Sequence, residues 1–168
     1  MSDKSELYRE LSESLAALLA AEANFIANAA NMAALIYHGL PDLNWAGFYF
    51  HDGTELVLGP FQGKPACVRI PIGKGVCGAS AARGETLLVP DVHEFPGHIA
   101  CDAASSSELV VPLIEAGAII GVLDLDSPLP ARFDNFDRVG CEQLVAQFLA
   151  HQRQYPNHQF PRNTPDRE

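Results

Sequence analysis

Three cysteines in this chain stand where a thiol could react. Cys67, Cys77 and Cys101 are spaced C-x9-C-x23-C, and none occupies a clear core position in an apolar repeat. Cys67 opens the stretch CVRIPI, Cys77 lies in GKGVCGAS, and Cys101 sits in the polar run DVHEFPGHIACDAASSSE. Two chemistries compete for them. One is zinc, with Cys101 joined by His93, His98 and a distant cysteine, although no C-x2-C or H-x3-H pair anchors such a site. The other is thiol–disulfide exchange, in which an attacking thiol meets a resolving one once their Cα atoms lie within roughly 7 Å. Cys141 differs: it falls on or beside the apolar face formed by Phe136, Leu144, Val145 and Phe148, the setting of an inert buried thiol.

The second group of interest is acidic. Asp124 and Asp126, in GVLDLD, are two apart at the end of an apolar strand, so both point to one face. Glu108 opens the neighbouring stretch SELVVPLI. Spacing alone leaves two readings open: solvated decoration of strand ends, or a converging trio that holds a cation or shares a proton. Trp45, the only tryptophan, begins WAGFYF and reads as core or as the wall of a ligand site. The glycine-rich run IPIGKGVCGAS is not a nucleotide loop, because Lys74 precedes Gly75 and Val76 follows it where a hydroxyl would be needed. Gly73 and Gly75 are instead expected to present free N–H groups at a helix start, suited to a small carboxylate or a thiolate.

These groups need a scaffold, and the rest of the chain predicts one. At 168 residues, 48% hydrophobic and 19% charged, the sequence suits one globular domain. The net charge is −10 and the eleven basic residues are scattered, which makes nucleic acid and anionic membranes poor partners. The opening MSDKSELYRE lacks the pattern of a secretory signal, and Glu22, Asn24, Asn28 and Asn31 interrupt the most apolar early stretch. A cytoplasmic protein is expected, in whose reducing surroundings four cysteines are not a structural disulfide framework.

Apolar spacing predicts a helix over Ser5 to Ala21, capped by Ser5, and a second over Asn24 to Tyr37. WAGFYF and ELVLGPF flank an Asp52-Gly53 hairpin turn, and CVRIPI, TLLVPDV, SELVVPLI and AIIGVLDLD follow as strands. GVCGASAARGE reads as a short helix ending at Gly84, and a last amphipathic helix begins after Asp134. The expectation is an α+β fold: a central antiparallel β-sheet with the N- and C-terminal helices packed on one face. Residues 1–155 form the domain, and 156–168, with three prolines, a loose tail.

The blocks NWAGFYF, LGPFQGKPACVRIPIGKGVCGASAA, VPDVHEFPGHIACDAASSSELVVPL and GVLDLDSP closely resemble the free methionine-R-sulfoxide reductases, which are built on a GAF domain. The resemblance runs from about Leu7 to Ala150 and includes the three loop cysteines in order. It implies that Cys101 attacks the sulfoxide sulfur, that Cys67 is the principal resolving thiol, and that Cys77 joins the relay in a less defined part. It implies further that Trp45 walls the substrate methyl group, while Glu108, Asp124 and Asp126 hold the ammonium and polarise the S=O bond. No metal or cofactor is then expected, only an external thioredoxin-type dithiol; a homodimer is compatible with the pattern. The rival reading is a non-catalytic GAF module that binds a small molecule, since fold does not fix function.

Overall fold

The computed structural model describes residues 3–99 and 101–158. The helices are α1 (Asp3–Leu19), α2 (Phe25–Gly39), α3 (Gly75–Arg83) and α4 (Asn135–Gln152). The strands are β1 (Trp45–His51), β2 (Glu55–Gly63), β3 (Arg69–Pro71), β4 (Leu87–Val89), β5 (Ser107–Glu115) and β6 (Ala118–Ser127). All six form one antiparallel sheet in the order β3-β2-β1-β6-β5-β4. It is not a continuous meander: β1 pairs with β6, which returns from the far end of the chain to the sheet centre.

Local signals explain most element ends. Asn24 caps α2 by accepting from the Ala27 N–H at 2.9 Å. Asp134 caps α4 in a reciprocal box with Asp137, the arrangement that satisfies otherwise orphaned amides at a helix start. Gly84 ends α3 with φ at 66°, where a side chain would be strained. Ser5, by contrast, lies inside α1 rather than capping it. The stretches CVRIPI and TLLVPDV pair over only three residues each. Both are edge strands, so only one side holds them in the sheet. Of the predicted tail, Pro156–His158 form a 3-10 turn; residues 159–168 lie outside the described ones. Among the described residues no helix is long and apolar enough to cross a membrane.

The period of two along each strand divides the molecule into two cores. Ala46, Phe48 and Phe50 of β1, Leu109 and Val111 of β5, and Leu123 and Leu125 of β6 face α2 and α4, with α1 packed against both helices. Fully buried side chains such as Phe48 and Leu123 each contribute roughly 1.5–3 kcal/mol, so this face supplies much of the stability. Residues in between turn the other way: Trp45, Tyr49, Val110 and Val122 join α3 in a second, smaller core. The prediction that the terminal helices share one face is met, and α3 occupies the opposite one. The reason is connectivity: β3 and β4 are opposite edges of the sheet, so the link between them must cross a face, and α3 is that crossing.

Candidate active site

Register on the second face assembles the site. Trp45 pairs with Asp126, and Asp126 with Glu108, so three neighbouring strands put these residues in one row. One rung on, Gly47 pairs with Asp124, and its lack of a side chain admits Phe61 of β2, whose Cβ would lie 2.3 Å from a Cβ at that position. Cys77, in the first turn of α3, closes the site from above. That helix sits close because Gly78 has no Cβ; one would fall 2.5 Å from the Pro71 carbonyl. The result is a cleft of about 540 Å³ whose lining includes Trp45, Cys101, Glu108, Asp124 and Asp126.

The aromatic wall extends beyond the one predicted residue. Trp45 is buried and stacks between Tyr49 and Phe61, with ring centroids 5.8 and 5.2 Å away. Tyr49 was discoverable in the sequence, since four residues along a strand return to the same face. Both polar tips are used. The Trp45 indole N–H donates to the Lys64 carbonyl at 3.2 Å, and the Tyr49 hydroxyl donates to the Cys67 carbonyl at 3.1 Å. Two side chains of β1 thus hold the loop that carries Cys67.

Across the cleft, Cys101 is joined to Cys67 by a disulfide, with Cα atoms 5.4 Å apart. The predicted thiol pair is therefore brought together; of the zinc set, His93 and His98 are neighbours with ring centroids 6.5 Å apart, but the Cys101 sulfur is taken up in the disulfide and the exposed His93 pairs with Asp91 at 2.8 Å. The segment after Cys101 has its own anchor. Asn44, next to Trp45 in sequence, donates to Asp102 Oδ2 and to Ser105 Oγ, each at 3.1 Å. The Ser105 hydroxyl in turn bonds Asp126. Neither Asn44 nor Ser105 carried a signal in the sequence, because the link depends on a loop folding back to β1.

The three carboxylates are not surface decoration. Glu108 and Asp124 are each only 6% exposed, and among the described residues no Lys or Arg forms an ion pair with any of the three. Burial pushes all three well above the usual carboxylate range, and each is raised further by another member of the trio. One atom, Asp124 Oδ1, is buried without a hydrogen-bond partner. Cys77 is a core residue, contrary to the expectation from its loop-like sequence. It is buried, free, and donates to Glu108 Oε1 at 3.7 Å. Burial, then the carboxylates, raise its thiol well above the ordinary range, so it rests protonated. Its sulfur and one oxygen each from Glu108 and Asp124 lie within 4.8 Å of one another. That crowding suits whatever supplies positive charge, and a shared proton or an ammonium group does so as directly as a metal.

The helix-start prediction needs correction in its details. The Gly73 N–H is taken by the Gly78 carbonyl at 2.8 Å and the Gly75 N–H by the Gly97 carbonyl at 3.1 Å. The amides of Val76 and Cys77, in the first turn of α3, have no intrahelical acceptor, and both residues line the cleft together with Lys74. The unoccupied amides thus lie one step further along the chain than the glycine pattern suggested. Cys141 is fully buried as predicted, 3.6 Å from the Tyr8 hydroxyl. Phe136, assigned to the same apolar face, is half exposed.

The GAF domain family matches residues 3–152. The free methionine-R-sulfoxide reductase of Escherichia coli (strain K12) is 55% identical over 145 residues, covering 86% of this chain and 88% of its own length. The X-ray structure of free methionine-R-sulfoxide reductase from Neisseria meningitidis, in complex with its substrate, superposes with a TM-score of 0.86 at 45% identity, over 92% of this chain and 95% of that one. A crystal structure described as a putative GAF sensor protein from Burkholderia vietnamiensis is similar at 60% identity and a TM-score of 0.89, covering 93% of this chain and 99% of the other.

Proposed function

The chain belongs to the GAF-domain family and, within it, to the free methionine-R-sulfoxide reductases, and from that premise we propose how its own residues carry out the reaction. The substrate is a single amino acid with an ammonium, a carboxylate and a polar S=O on a short apolar stem. The observation that carries the reading is the acidic trio that lines the cleft together with Cys101, with Glu108 and Asp124 buried and no cationic side chain paired with any of the three among the described residues. A substrate ammonium supplies the missing charge, and the stacked Trp45 receives the methyl group. The substrate carboxylate lies at the free amides of Val76 and Cys77 and beside Lys74.

In the reduced protein, the Cys101 thiolate attacks the sulfoxide sulfur. As that S–S contact forms, the sulfoxide oxygen gains a proton from Glu108 or Asp124, which burial keeps protonated. The protonated oxygen then transfers to the Cys101 sulfur as its bond to the substrate sulfur breaks, so methionine leaves with the electron pair and Cys101 is left as a sulfenic acid. The Cys67 thiol then attacks that sulfur; a disulfide forms and water departs. An external thioredoxin-type dithiol returns both cysteines to thiols, and the cycle calls on no metal or cofactor. Cys77 serves in this cycle as a protonated donor that holds Glu108 in place, and any entry into the thiol relay requires it to leave its buried position. A reducing compartment such as the cytoplasm sustains the cycle, and its reactants call on neither nucleic acid nor membrane.

The test is an assay of free L-methionine-R-sulfoxide reduction driven by dithiothreitol. Wild type is expected to turn over and Cys101→Ser to be inactive, while Cys67→Ala, with thioredoxin in place of dithiothreitol, should release about one equivalent of methionine per chain before stalling. Binding of the sulfoxide by wild type with no methionine formed would instead favour the sensor reading.

A further inference from the structure

The disulfide has two sides, and they are not equivalent. Cys101 lines the substrate cleft. Cys67 is not among the cleft-lining residues; it follows Lys64, Pro65 and Ala66, which line the cleft, and is itself followed by the exposed Val68 and Arg69, which do not. Val68, adjacent to Cys67, is 62% exposed, more than any other large hydrophobic side chain among the described residues. Ile72, beyond the edge strand β3, is 37% exposed. Val68 and Ile72 thus give the chain on either side of β3 an exposed aliphatic surface next to the disulfide.

We propose that the dithiol reductant docks on this β3 edge, covering Val68 and Ile72, and attacks the sulfur of Cys67 rather than that of Cys101. The inference rests on the reading of the protein as a reductase. The occupant is a small dithiol protein whose nucleophilic cysteine is surrounded by apolar surface. Charge favours the same place. The chain carries a net charge of −10, yet Lys64 and Lys74 stand near the disulfide with no ion-pair partner among the described residues. A reductant with carboxylates bordering its apolar face is steered there.

The exchange balances. The partner thiolate bonds to the Cys67 sulfur, the Cys67–Cys101 bond breaks, and Cys101 departs as a thiolate. The partner's second thiol then attacks its own mixed disulfide, releasing Cys67 and carrying away the two electrons' worth of oxidation as the partner's disulfide. Attack on this side has a consequence for the cycle: Cys101 is freed inside the cleft in the ionised form that the next sulfoxide requires. Attack on Cys101 would place the reductant over the substrate entrance and release the wrong thiolate.

The oxidised full-length protein should be mixed with a thioredoxin whose second active-site cysteine is replaced by serine, and the trapped species mapped by mass spectrometry without reduction. The expected link is to Cys67; a link to Cys101, or no trapped species, overturns the proposal. Val68→Asp supplies an independent readout. Its thioredoxin-driven turnover should fall roughly tenfold through a higher KM for thioredoxin, with dithiothreitol-driven turnover within about twofold of wild type. Unchanged thioredoxin-driven turnover, or an equal fall in both, would contradict the docking surface. Trapping needs only the disulfide, so failure of the sulfoxide assay and failure of the docking proposal are separate outcomes.

Discussion

Among the described residues, buried carboxyls lie on both faces of the sheet, and the chain treats them in opposite ways. Asp137, at the start of α4, is fully buried and fully answered. Lys4 reaches it from α1, Arg132 Nη1 lies 3.1 Å away, the Tyr8 hydroxyl donates at 3.0 Å, and the Asp134 amide donates at 2.9 Å. Glu108, Asp124 and Asp126 are packed against one another and a thiol, with one oxygen left unpaired. An unpaired charge in the interior costs several kcal/mol, and burial accordingly raises the pKa of each member of the trio. The contrast teaches where to look for function. A buried acid completed by its own chain is a fastener, whereas one left incomplete at a cleft is waiting for a ligand.

Neutralising one residue in each place should separate the two roles by the widest margin. Asp124→Asn is expected to lower kcat/KM on free methionine-R-sulfoxide by about a hundredfold or more, with the melting temperature held or raised. Asp137→Asn should do the reverse, destabilising the fold by about 3–5 kcal/mol because Lys4 and Arg132 lose their acceptor, while the folded fraction keeps its kcat/KM. If the two variants exchanged these phenotypes, the division between fastener and site would fail.

Stability against pH sharpens the same comparison. The trio's folded pKa values lie above their ordinary values of 3.8 for Asp and 4.5 for Glu. Above those ordinary values the unfolded chain has released protons that the native protein keeps, so stability falls as pH rises through that window toward the raised folded values. Below the ordinary range the contribution is fully present. Asp124→Asn should therefore show a flatter decline than wild type over this window in urea titrations at successive pH values. An unchanged slope would mean that Asp124 does not hold its proton in the native state.

The smallest expected effects concern the two free, buried cysteines. Both thiols are pushed up by burial, Cys141 to about 12. Only Cys77 faces the carboxylates. Cys141→Ala should cost about 1 kcal/mol of stability and leave turnover alone. Cys77→Ala should lower kcat by about tenfold or less, through Glu108, and still allow repeated turnover. Complete loss of recycling in that variant would make Cys77 an obligatory relay thiol.

Much of the fold could be read from residue order, because the deciding signals are local. The Asp-Gly turn, the Asp134 cap and the alternation in GVLDLD each act over a few residues, and each element they imply is present. The two-residue spacing of Asp124 and Asp126 did place both on one face. Facts that depend on distant segments were hidden. Burial of Cys77 follows from α3 crossing the second face, and the occupied amides of Gly73 and Gly75 follow from turns that no glycine count specifies. The Asn44 clamp and the Lys4–Asp137 fastener join residues 58 and 133 positions apart, beyond the reach of any local pattern.

The central claim is that the unpaired trio exists to hold the ammonium of one free amino acid beside Cys101. The most direct test compares kcat/KM for free L-methionine-R-sulfoxide with that for its N-acetyl derivative, which is identical except that an amide replaces the ammonium. A preference of at least about a hundredfold for the free amino acid is predicted, since the acetylated form leaves the buried carboxylates unanswered. Equal values for the two would contradict the account.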